Sequence, residues 1–199
     1  LANIPSERLL LAVTVLSGFA ILGLEIVWTR FASYFLGNRT FAFTTLLAWV
    51  LLLLAVGAWL SQRLLARFGQ NVERLLGWLL VTSVFAILVS SIGVVAWMEA
   101  QEALERSLAD SAGALVALRV IVAGVVMAPL FATLGVLFPL SLTCSHRVEA
   151  ATGDTAGRFY LWNTVGAVTG ALLTGFVGIP ALGDFHSTAA IAILCGLFG

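Results

Sequence analysis

The sequence predicts an all-α fold, a polytopic transmembrane helical bundle of about six spans, and three observations lead there. Of its 199 residues 61% are hydrophobic and only 10% charged, with a mean hydropathy of +1.08. Four windows of bilayer length, residues 41–60, 75–98, 120–145 and 159–183, contain no Asp, Glu, Lys or Arg. The charges gather between those windows. A soluble domain needs a polar surface over its core, whereas a bundle in lipid can be apolar inside and out once helices satisfy the backbone.

Residues 9–28 make the first span, with a single acid at Glu25. Its length and the lack of a small-residue cleavage pattern after it argue against a signal peptide. The second and third spans are the windows 41–60 and 75–98. Between the third and fourth, residues 97–113 read as a short amphipathic helix lying on the outer surface. Trp97, Leu104 and Leu108 share one face of it, and Glu99, Glu102, Glu105 and Asp110 the others. That helix serves either as a solvated connector or as a surface for a cationic ligand or partner. In the fourth span Pro129 and Pro139 each remove a backbone donor and are expected to break the helix into kinked segments. The fifth span carries Gly166-Ala-Val-Thr-Gly170. That spacing puts two residues without side chains on one helical face, with Gly175 beyond them, and predicts close approach of another helix. Residues 185–199 begin a sixth span too short to cross, and further residues are expected after Gly199. The 199 residues are read as one transmembrane domain, with any soluble domain lying outside them.

Every basic charge is an arginine. Placing the N-terminus in the cytoplasm puts Arg8, Arg63, Arg67, Arg74, Arg147 and Arg158 inside, against Arg30, Arg39 and Arg106 outside. That bias favours a cytoplasmic N-terminus. Trp28, Trp78, Trp97 and Trp162 fall near span boundaries, where an amphipathic ring is well placed.

The polar groups at membrane depth are the candidate binding or structural residues. A charge at a helix centre costs about 2.5–3.5 kcal/mol on insertion scales, so Glu25 and Arg119, both toward the outer half, are expected to meet or to face a polar cavity. Arg30 competes for Glu25 at a poorer helical spacing. In the cavity reading Glu25 holds a cation such as a polyamine or a proton. Asn163, one turn after Tyr160, is expected to hydrogen-bond another helix. Catalytic chemistry is not legible: no glycine-rich turn follows a strand with an acid downstream, so no catalytic site, cofactor or nucleic-acid partner is expected in this segment. Cys144 and Cys195 are expected to stay reduced, and with His146 they do not complete a metal site.

The run SGFAILGLEIVWTRFASYFLGNRTFAFTTLLAWV (17–50), the segment GVLFPL (135–140) following Pro129, and GRFYLWNTVGAVTGALLTGFVGIPALG (157–183) occur in an order that resembles the integral membrane domain of bacterial spermidine synthase-like proteins. Glu25, Trp28, Arg30, Tyr160, Asn163, Gly166 and Gly170 match positions of that pattern. The resemblance implies a multi-pass protein of the bacterial inner membrane that anchors a cytoplasmic aminopropyltransferase-like domain. That domain, which would hold the cofactor glycines and catalytic acids, is not in these residues. The resemblance also implies a polyamine as ligand. Two other readings stay open: a transporter-like bundle, and an accessory subunit packed against other membrane subunits or a second copy of itself. The lipid bilayer is a partner in all three.

Overall fold

A computed structural model describes residues 5–36, 39–69, 71–108, 111–148 and 153–199, without the side chains of 35, 39 and 146–148. The chain is an all-helical bundle. Five helices are long and apolar enough to cross a membrane, which makes this a membrane-embedded protein by length and composition.

The order is α1 (Glu7–Leu36), α2 (Arg39–Phe68), α3 (Val72–Ser107), α4 (Ala112–Val148) and α5 (Gly153–Leu173). A π-helical turn (Thr174–Gly178) joins α5 to the single turn α6 (Ile179–Leu182), and α7 (Asp184–Leu197) follows. Helix starts carry the expected chemistry. Ser6 Oγ accepts from the Leu9 amide at 3.4 Å and Ser111 Oγ from that of Ala114 at 3.4 Å, while Glu7, Glu73, Asp154 and Asp184 set acids in first turns where the helix dipole favours them. Gly183 turns the chain from α6 into α7 at φ +81°, a left-handed conformation that favours glycine. At 14 residues α7 is shorter than a span.

Helices α1 and α4 form the centre. Helix α1 packs on α5, α4, α2 and α7, and α4 packs on α2, α3 and α1. The apolar window of α1 is 61% buried, against 22% for that of Gly153–Leu182 at the periphery. Phe131, Leu134 and Leu137 of α4, Leu10 and Leu24 of α1 and Phe159 of α5 are all fully buried and belong to one apolar core. In lipid such contacts gain from dispersion and close fit rather than from expulsion of water. Buried hydroxyls close on their own helix: Thr14 donates to the Leu10 carbonyl at 2.8 Å and Ser17 to that of Thr14 at 2.9 Å.

Two expectations are corrected. The segment 97–107 is not a separate surface helix but the last three turns of α3, which runs unbroken for 36 residues. Its good helix formers continue a helix already nucleated, so no break occurs until Leu108. The fourth span is likewise one helix of 37 residues through both Pro129 and Pro139. The threonine four residues after each proline donates back to it, Thr133 to the Pro129 carbonyl at 2.5 Å and Thr143 to that of Pro139 at 2.8 Å. These hydroxyls add a second donor to the proline carbonyls; the carbonyls that lose an amide to the prolines are those of Val125 and Gly135, and the turns on either side keep the helix continuous. Asp110, assigned to the outer connection, lies outside the described residues.

Candidate functional site

The candidate residues are distributed over two contacts rather than one cleft. The first is the α1–α5 seam. A Cβ on Gly166 would stand 2.1 Å from the Val15 carbonyl oxygen, and one on Gly170 would stand 2.2 Å from that of Phe19. In return, a Cβ on Gly18 of α1 would lie 2.2 Å from the Asn163 carbonyl oxygen. The two backbones touch through glycines on both helices. Asn163 also accepts from Ser17 Oγ at its Oδ1, at 3.5 Å. Tyr160 turns outward and is 56% exposed, its ring edge-on to Phe138 of α4 at 5.1 Å. Gly175 sits on the π turn, where a Cβ would make an ordinary 3.7 Å contact with Ile26. At the end of the seam nearest the N-terminus Arg158 of α5 bonds Glu7 of α1.

The second contact lies at the opposite end of the bundle and is made of ion pairs. Arg119 Nη2 stands 2.5 Å and its Nε 3.1 Å from Oε1 of Glu105, tying α4 to the last turn of α3. Arg30 Nε stands 3.0 Å from Asp184 Oδ1, tying α1 to the start of α7. Arg119 is therefore not the partner of Glu25, and neither is Arg30. Continuation of α3 through residue 107 carries Glu105 across the α3–α4 turn toward Arg119, an alternative invisible while 97–113 is read as a surface helix. Glu25 is half-buried, and among the described residues no ion pair reaches it.

Between these ion pairs Trp28, Trp97, Val94, Val126 and Met127 close an apolar pocket with Arg119 on its wall. Trp28 and Trp97 are thus core residues, 3% and 7% exposed, whereas Trp78 and Trp162 face outward as boundary residues do. Trp28 stacks edge-on against Phe31 at 5.9 Å, and Phe31 in turn meets Phe185 of α7 at 5.2 Å. Sequence reasoning missed Asp184 as a partner. Its signal was its place just past Pro180-Ala-Leu-Gly183, at the end of the bundle where the first span also finishes. It missed Trp49 too, whose indole donates from Nε1 to the Val120 carbonyl at 3.0 Å and covers Gly124.

Cys144 and Cys195 are buried and not joined in a disulfide. Among the described residues no three His, Cys, Asp or Glu side chains gather as a metal site would require. This arrangement locks helices in register and, among the described residues, leaves the Glu25 carboxylate within an apolar span without an ion pair. Compared with known proteins, the chain matches no family model, no curated protein and no solved structure.

Proposed function

We propose that this chain is a multi-pass anchor of the bacterial inner membrane, N-terminus in the cytoplasm, that holds an aminopropyltransferase-like domain of the spermidine synthase type at the membrane surface. The observation that favours an anchor is the α1–α5 seam. Glycines on both helices bring backbone against backbone at Val15–Gly166 and Phe19–Gly170, which suits a fixed platform better than helices that must slide. The identity of the tethered domain rests on the sequence resemblance. Assay of the full-length protein in detergent for transfer of an aminopropyl group from decarboxylated S-adenosylmethionine to putrescine tests it. Spermidine should form, and absence of product with every diamine tried would overturn the enzymatic half of the reading.

One observation favours a second reading, in which the bundle itself binds a polyamine. Glu25 is a half-buried carboxylate with no ion pair among the described residues, and acids at membrane depth are costly unless they serve a pathway or find a counter-charge. Equilibrium binding of radiolabelled spermidine to wild type and Glu25→Gln decides it; equal binding by the two removes the reading.

A further inference from the structure

We infer that the groove between the C-terminal end of α2 and the N-terminal end of α3 is a binding site for an anionic phospholipid. Helices α2 and α3 follow one another in the chain yet touch little, because each packs on α4 instead. Their divergence opens a groove of about 570 Å³. Its composition changes along its length. At the helix ends Arg67, Asn71 and Arg74 supply donors, and among the described residues no acid lines the groove. Glu73, the nearest acid in sequence, lines the neighbouring cavity instead. Among the described residues neither arginine belongs to an ion pair.

Further along α3 the wall is formed by Leu75 and Leu79, and by the exposed Thr82, whose hydroxyl is taken up by the Trp78 carbonyl at 2.6 Å. At 1.5 Å per residue, Arg74 and Thr82 are separated by about 12 Å along α3. That distance matches a phosphate at the interface with the upper part of an acyl chain below it. Trp78, 65% exposed between the two zones, stands where headgroup meets hydrocarbon. Aromatic rings flank the arginines: the Arg63 guanidinium lies 3.9 Å over Trp59 and that of Arg67 lies 5.8 Å from Phe68. Two unpaired guanidinium groups above an apolar slot complement a negative headgroup with an attached chain. A soluble phosphate would use only the upper half.

The test is native mass spectrometry of the full chain released from detergent, titrated separately with phosphatidylglycerol, phosphatidylcholine and glycerol phosphate. Phosphatidylglycerol should be retained well beyond the other two. Arg67→Gln combined with Arg74→Gln should weaken it about fivefold per arginine, about 25-fold together. Arg8→Gln, a charge removed at the same end of the bundle but away from the groove, should leave retention unchanged. Thr82→Trp narrows the slot from an exposed position and should also weaken phosphatidylglycerol; this variant carries the test if the double arginine variant does not fold. Equal retention of the two lipids, wild-type retention by both variants, or glycerol phosphate binding as tightly as phosphatidylglycerol would each overturn the proposal. So would cross-linking from Thr82→Cys to another protein or chain segment that excludes lipid.

Discussion

The Cα of Gly166 faces the carbonyl of Val15 so closely that a single added methyl would stand 2.1 Å from that oxygen. The obstacle is backbone, which no rotamer change can relieve, so a side chain there must push α1 and α5 apart. Gly166→Ala should therefore lower stability by about 1–3 kcal/mol, as overpacking does. Gly157→Ala, on the same helix but facing open space, should be neutral or stabilising by up to about 1 kcal/mol, since alanine is the better helix former. Thermal unfolding in detergent reads both. Equal losses at the two positions would mean that helix propensity, and not the seam, sets the cost.

The Glu105–Arg119 pair is partly shielded, with side chains 29% and 22% exposed. A double-mutant cycle of Glu105→Gln and Arg119→Met should give a coupling of about 1–2 kcal/mol, between exposed and buried pairs. The same cycle run with Glu25→Gln and Arg119→Met should be additive within about 0.5 kcal/mol. Coupling at Glu25 with none at Glu105 would restore the pairing that the sequence suggested.

Trp49 joins α2 to α4 in two ways: its Nε1 donates to the Val120 carbonyl at 3.0 Å, and a Cβ on Gly124 would lie 2.2 Å from its ring. Trp49→Phe loses the hydrogen bond and part of the ring, and should cost about 1–3 kcal/mol. Gly124→Ala alone should destabilise by about 1–3 kcal/mol, and Trp49→Phe should recover part of that loss by vacating the space. Strict additivity in the double variant, again by thermal unfolding, would show that the ring does not rest on Gly124.

How much of this was legible follows from what each kind of interaction needs. The spans at 41–60 and 120–145 could be read from composition because a bilayer imposes length and apolarity on every helix, whatever it packs against. The Gly166–Gly170 spacing marked a face, but its partner, the Val15–Phe19 stretch of α1, carries no complementary signal beyond Gly18. Ion pairing failed for a related reason. Glu25 and Arg119 share a depth, yet depth does not fix which way a side chain points around a helix. Arg119 met Glu105 because α3 ran on past the membrane boundary, and Arg30 met Asp184 because Gly183 aims α7 back at α1. The reach of a helix beyond its apolar core and the exit angle of a turn are set by tertiary packing. The break expected at the prolines did not occur, because each ring removes one backbone bond, to the Val125 and Gly135 carbonyls, and the flanking turns hold the helix continuous.

The orientation proposed for the bundle gives the last prediction, and the chain is well made for testing it. Cys144 and Cys195 are 1% and 0% exposed, so a bulky membrane-impermeant maleimide should leave the native thiols unlabelled. Glu73 at the start of α3 and Ser107 at its end are both exposed. They are separated by 34 residues of one continuous helix, about 51 Å at 1.5 Å per residue, more than the roughly 30 Å hydrocarbon core. In intact cells Ser107→Cys should be labelled and Glu73→Cys should not. After permeabilisation both should react, placing the α2–α3 turn and its arginines in the cytoplasm. The reverse pattern would invert the bundle and put the domain proposed to be tethered to it on the wrong face for cytoplasmic substrates, while labelling of both positions in intact cells would show that α3 does not cross at all.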